Sequence, residues 1–202
     1  MENLLHKGLN VLFFDIETTG FPKKNEPVDI IEIGMQYVPE LGFSKEIETL
    51  DQLYSIDGIV PYEITEITGI KGSMLEGKPH IKEHLNLIQN TVSKSDVIVA
   101  HNAPFDIRCL ELLGVNFADK EIFDTATHSK RMFPELPSHK MGAMCEFLGI
   151  NNIAAHRAIH DVNAMIKVYS EIADFNKYPE KLEELIEKHK KLSYTKKLTV
   201  KA

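Results

Sequence analysis

Two carboxylates close an apolar run near the start of the chain, in Phe13-Phe14-Asp15-Ile16-Glu17-Thr18-Thr19-Gly20. Val11 to Phe14 are β-branched or aromatic, with Leu12 among them, which predicts a buried strand. Strands alternate faces, so Asp15 and Glu17 project to one side. Two acids beside an apolar core are costly unless a positive charge lies between them. Oxygen donors so spaced suit Mg²⁺ or Mn²⁺. Gly20 then permits a sharp turn or the close approach of a ligand. A lone Asp-x-Glu is more often a solvated strand end than a metal site, so the pair needs partners elsewhere.

Two further segments supply them. Val97-Ile98-Val99-Ala100 reads as a second buried strand, and His101-Asn102-Ala103-Pro104 leads from it into a helix over 105–113. Asp106 then sits in the first turn of that helix, where the helix N-terminus stabilises its charge. Farther on, His156-Arg157-Ala158-Ile159-His160-Asp161 places a histidine five residues before an aspartate at the start of a long amphipathic helix. Four acids and one histidine thus fall in three segments, each at the end of a predicted element. His101 has a plainer reading as a cap for the Asp106 helix. His160 reads as structural, and His6, His80, His84, His128, His139 and His189 fit no ligand spacing.

The elements that must position these groups are legible in outline. Val28 to Val38 alternates and is rich in isoleucine, and Pro39-Glu40-Leu41-Gly42 follows as a turn. Phe43–Leu50 and Leu53–Ile56 suggest more strand, so that with the first strand there are three mostly antiparallel strands. A short helix over 61–67 opens at Pro61, and a longer one over 80–92 carries Ile81, Leu85, Ile88 and Val92 on one face. Glu121–Phe123 reads as a short strand, followed by helices over 124–132, 141–148 and 157–175. Pro179 opens a last helix. Strands first and interleaved helices later predict a mixed α/β sheet covered on both faces, with ligands at the strand ends. Gly72-Ser73-Met74-Leu75-Glu76-Gly77-Lys78 imitates a phosphate-binding P-loop. Pro79 replaces the hydroxyl residue that would ligate Mg²⁺, and no buried strand precedes the segment, so that reading is rejected.

A net charge of −7 over 202 residues argues against coating long nucleic acid through bulk charge. It leaves room for an enzyme that grips a few phosphates, because an acidic site reverses its local charge on binding cations. Residues 177–202 hold eight lysines and four glutamates, a local charge of +4 against −11 for residues 1–176. Cys109 and Cys145 lie in apolar helical patterns without CxxC spacing, as buried reduced thiols do. With no signal-peptide pattern over 1–10 and no apolar run of membrane-spanning length, a soluble cytoplasmic protein is expected.

In their order and spacing, Phe14–Gly20, Ala100–Asp106 and His156–Asp161 resemble the three exonuclease motifs of the DEDDh family of 3′→5′ exonucleases. That family includes the proofreading subunit of bacterial DNA polymerase III. Ile64–Ile70 and Met141–Gly149 resemble its connecting segments, and the likeness covers about residues 10–175. It implies an RNase H-like mixed β-sheet of about five strands, an antiparallel hairpin followed by parallel strands, flanked by helices. Residues 1–176 would form the exonuclease domain and 177–202 a lysine-rich helical C-terminal extension.

By the same likeness Asp15, Glu17, Asp106 and Asp161 hold two divalent metal ions, Mg²⁺ or Mn²⁺, and His156 is the general base. Thr18, Gly20, Phe21, His101, Asn102 and Phe105 contact the substrate. Phe21 acts as an apolar wedge at the last base, and Arg157 and Lys140 either reach the phosphate chain or are simple surface charges. The expected reaction releases nucleoside 5′-monophosphates from single-stranded or frayed DNA 3′ ends. RNA trimming and a non-catalytic nucleic-acid-binding scaffold are the alternatives. The extension is expected as a solvated helix or as a dock for a polymerase or a replication or repair partner.

Overall fold

In the computed structural model, which describes residues 3–24, 26–152 and 156–188, the apolar run at Val11 continues as strand through both acids. This strand, β1, spans Val11–Thr18. It pairs antiparallel with β2, Ile30–Val38, which pairs antiparallel with β3, Glu48–Leu53. On its other side β1 pairs parallel with β4, Val97–Ala100, and β4 with β5, Glu121–Asp124. The order β3-β2-β1-β4-β5 puts the acid-bearing strand at the centre. This is the expected mixed sheet of five strands.

Strand alternation divides the core in two. Val11, Phe13, Val97, Val99 and Phe123 pack on one face beneath the last helices, among buried Met144, Val162, Met165 and Tyr169. Leu12, Phe14, Ile16, Ile98 and Ala100 pack on the other face with Ile88, Val92, Cys109 and Leu110. Asp15 and Glu17, being odd-numbered, therefore belong to the first face. That face is covered by α5 (Thr125–Met132), α6 (Met141–Leu148) and α7 (Ala158–Ile172). The second face carries α3 (Leu85–Lys94) and α4 (Ala103–Leu112). Two short helices, α1 (Tyr62–Thr68) and α2 (Gly72–Leu75), form a satellite cluster in which Ile70 and Leu75 pack with Ile31 of β2. Both cysteines are free and buried.

Several boundaries differ from the sequence expectation. Phe43–Ile47 is not strand, because the turn continues through a hydrogen bond donated by Phe43 N to Glu40 O and Phe43 stays exposed. The helix expected over 80–92 is broken. His80 caps a 3₁₀ turn, Ile81–Glu83, through a bond from Lys82 N to its Nδ1, while Glu83 Oε1 accepts from His80 N. Helix α4 begins two residues earlier than expected, with Pro104 in its first turn, where a missing N–H costs nothing.

The helix opened by Pro179 is described over 179–188. It is docked rather than solvated: Leu182 and Leu185 are buried, and Lys181 donates to Met132 O beside the Phe133 ring. His189, Leu192 and the polar end of the expected extension lie outside the described residues. Among the described residues no helix is long and apolar enough to cross a membrane.

Candidate active site

The register across β1 and β2 sets the base of the site. Asp15 stands opposite Gly34 and Glu17 opposite Glu32, and the pairing then slips, with Thr18 opposite Ile30. Helix α7 lies against this stretch so closely that a Cβ on Gly34 would fall 2.5 Å from Ile159 N and 2.6 Å from Ala158 C. The bare glycine surface lets the first turn of α7, and so Asp161, approach the strand acids.

Each of the two helices that bring an acid to the sheet is preceded by a strained residue. Asn102, ahead of α4, and His156, ahead of α7, both have φ of 66°. Such values are costly for non-glycine residues and persist where surrounding bonds hold them. Asn102 N donates to Asp124 Oδ1 at 2.8 Å, and His156 N donates to Asp161 Oδ2 at 2.8 Å. Asp161 Oδ1 accepts from Asn152 Nδ2 at 2.8 Å. Asp106, only 4 % exposed, reaches from α4 to accept from Ile16 N at 3.2 Å, between the two strand acids. All five residues expected to carry the chemistry thus converge at one end of the central strand.

Ligand atoms of Glu17, His156 and Asp161 all lie within 4.8 Å of one another. Two carboxylates and an imidazole at that spacing fit a divalent cation. His156, expected only as a base, therefore also stands within reach of a metal. Asp15 and Asp106 flank this trio and act on it and on each other through their charges. Burial, then the carboxylates of Asp106, Glu17, Asp161 and Glu32, push Asp15 well above the ordinary range. Glu17 rises to about 7, chiefly by burial and then by Asp161 and Glu32. Asp106 rises to about 8, mainly by burial, against the lowering effect of its backbone hydrogen bonds. Such crowded acids call for a cation.

The shifts have a consequence for stability. The folded protein holds these protons more tightly than the unfolded chain, so their contribution is complete below about pH 4 and is lost as pH rises through 7 to 8. Metal-free protein is therefore expected to melt about 3–6 °C lower at pH 8.5 than at pH 5.5. Mn²⁺ at pH 8.5 should recover the loss. Thermal melts in EDTA and in Mn²⁺ check both.

The residues expected to contact substrate ring the same end of the sheet. Thr18 Oγ1 donates to Gly20 O at 2.7 Å and Thr19 N to Asp29 O at 2.9 Å, shaping a tight loop in which Gly20 takes φ of 155°. Phe21 is 84 % exposed and meets Phe105 edge-to-face at 5.6 Å. His101 is not the helix cap. Thr125 Oγ1 donates to Ala100 O and so accepts from His101 Nδ1 at 2.8 Å, while burial lowers the imidazole's pKa. Lys140 is exposed just ahead of α6. Arg157 is not a simple surface charge, because its guanidinium grips Glu32.

Glu32 and Asp124 are the residues that sequence reasoning missed. A signal for Glu32 was present: one acid inside the isoleucine run Ile30-Ile31-Glu32-Ile33 has to find a cation if it is buried. Gly34, two residues on, carried the matching signal of a close backbone approach. Asp124 ends a four-residue strand like many solvated acids, and nothing local marked it.

The central parallel-antiparallel sheet, with acids delivered to β1 by helices on both faces, is the RNase H-like fold. Exonuclease I shares it with a TM-score of 0.73 at 19 % identity, over 92 % of this chain and 45 % of that one. Exonuclease X in complex with 5′ overhanging duplex DNA matches at 0.61 with 23 % identity, over 82 % of this chain and 91 % of that one. The exonuclease family model RNase_T matches residues 12–169. The chain belongs to that family, as a DEDD-type 3′→5′ exonuclease domain. The PolC-type DNA polymerase III of Clostridium perfringens is 34 % identical over 158 residues, which is 77 % of this chain and 10 % of that protein. The 3′-5′ exonuclease DinG of Staphylococcus aureus is 28 % identical over 158 residues, 76 % of this chain and 17 % of that protein. The chain spans about a tenth of the PolC-type relatives it matches.

Proposed function

We propose that this domain hydrolyses DNA from single-stranded or frayed 3′ ends, releasing nucleoside 5′-monophosphates. The observation that carries this is the convergence of Glu17, His156 and Asp161 within 4.8 Å, with Asp15 and Asp106 alongside. DNA is preferred over RNA because relatives carry the name DNA polymerase III and a structural neighbour is bound to duplex DNA.

In this reading Asp15, Glu17, Asp106 and Asp161 would hold two divalent ions, Mg²⁺ or Mn²⁺. When bound, such ions would supply charge stabilisation for an in-line phosphoryl displacement. His156 takes the proton of the attacking water. As the new P–O bond forms, the bond from phosphorus to the 3′ oxygen of the penultimate nucleotide breaks, and that oxygen takes a proton from solvent to become the new 3′-hydroxyl. The strained backbone at His156 is tied to Asp161, so base and metal-binding acid keep one geometry. Thr18 and Gly20 hold the terminal nucleotide, and His101, Asn102 and Phe105 line the scissile phosphate. Phe21, backed by Phe105, stacks on the last base.

Phe21→Ala is expected to raise KM for single-stranded DNA about tenfold with little change in kcat, the order of one lost base–aromatic stack. The direct test of the function is a 5′-labelled DNA strand, beside RNA of equal sequence, incubated with protein and Mn²⁺. A ladder shortening from the 3′ end of DNA supports the reading. A ladder on RNA alone assigns an RNA trimmer, and none on either strand assigns a binding scaffold.

A further inference from the structure

We propose that Glu32 and Arg157 form a clamp that positions the catalytic end of α7, so that Glu32 is a positioning residue for His156 and Asp161. The role rests on the exonuclease reading above. Glu32 is fully buried near the start of β2, and both of its oxygens are engaged. Oε1 accepts from Arg157 Nε at 2.9 Å and from Nη2 at 2.7 Å, a two-pronged grip that a lysine cannot copy. Oε2 accepts from Ala158 N at 2.9 Å.

That last bond is the informative one. Arg157 occupies the N-cap position of α7 and makes no side-chain cap bond. The carboxylate of Glu32 caps the helix instead, from a different element, and places negative charge at the helix N-terminus where it is favoured. The clamped pair, Arg157 and Ala158, lies directly between His156 and the Asp161 turn. His156 and Asp161 are joined through the His156 N–H, so they move as one unit. Glu17 stands opposite Glu32 on the neighbouring strand. Glu32 thus fixes the distance between the strand acid and the helix-borne pair. A buried ion pair of this kind serves register better than stability.

A phosphate-binding role for Arg157 makes opposite kinetic predictions, and the two can be separated. Glu32→Gln, Arg157→Lys and Arg157→Ala are compared with the wild type on a single-stranded DNA oligomer. Misplacement of the helix-borne pair should lower kcat about 100-fold in all three, with KM unchanged. Mn²⁺ binding to the protein without DNA, read by calorimetry, should weaken about tenfold. The salt dependence of KM should stay as in the wild type.

Arg157→Lys, which keeps the charge and loses the fork, should fall nearly as far as Arg157→Ala. Its retention of wild-type kcat and Mn²⁺ binding would overturn the clamp. So would a raised KM with a salt slope reduced by about one, the mark of a lost phosphate contact. Absence of cleavage by the wild type would instead sink the exonuclease reading. The Mn²⁺ comparison would still decide the clamp.

Discussion

Asp15→Asn is expected to abolish cleavage, by on the order of 10³-fold or more, while making the metal-free protein harder to unfold. Both effects come from one cause. Asp15 stands at the centre of the cluster, and Asp106, Glu17, Asp161 and Glu32 all raise its proton affinity after burial has done so. Bound cations would be held by that charge density and would neutralise it. Without them it is repulsion stored in the fold. Asparagine keeps the shape and removes the charge, so the melting temperature in EDTA at pH 8 should rise by about 2–4 °C. The same substitution should remove most of the stabilisation that Mn²⁺ gives the wild type. A variant that retained activity within tenfold, or that melted lower than the wild type in EDTA, would place Asp15 outside the site.

Gly34→Ala should be the most disruptive single-methyl change in the sheet. The added Cβ would lie 2.5 Å from Ile159 N, 2.6 Å from Ala158 C and 2.8 Å from Ala158 O. All three are backbone atoms of the α7 entry, so no side chain can swing away to relieve the contact. Either α7 moves off the sheet or β2 bends. Overpacking of this severity costs about 1–3 kcal/mol, or roughly 3–10 °C in melting temperature for a chain of this size. Asp161 moves with the helix, so kcat should fall about 100-fold even in the fraction that remains folded. Gly142→Ala is the control. A Cβ there meets nothing within 4 Å on a helix, and the change should be neutral or slightly stabilising. Equal behaviour of the two variants would mean that α7 does not depend on close contact with β2.

These two positions also mark how far the sequence could be read. Asp15 was legible because its environment is local: an apolar β-branched run, a period of two and a second acid on the same face. The grouping of Asp106, His156 and Asp161 with it required three separated segments to be recognised together, and their order and spacing allowed that. Gly34 and Glu32 were harder, because their meaning lies in α7, more than a hundred residues away. The partner of Arg157 was hidden for the same reason. A cation beside a metal-binding motif suggests phosphate, and only the folded sheet shows the buried carboxylate that pairs with it. Phe43–Ile47 misled in another way, having strand composition although Phe43 and Ile47 stay exposed.

The central claim is that this acid and histidine cluster cuts the terminal phosphodiester with water. It is tested most directly by identifying the first product. A DNA oligomer labelled on the phosphate of its 3′-terminal nucleotide is incubated with protein in Mn²⁺ and in EDTA, and the released label is resolved by chromatography. Labelled nucleoside 5′-monophosphate is expected, formed in Mn²⁺ and absent in EDTA. Release in EDTA, or label carried on a longer fragment or on a nucleoside 3′-monophosphate, would contradict it.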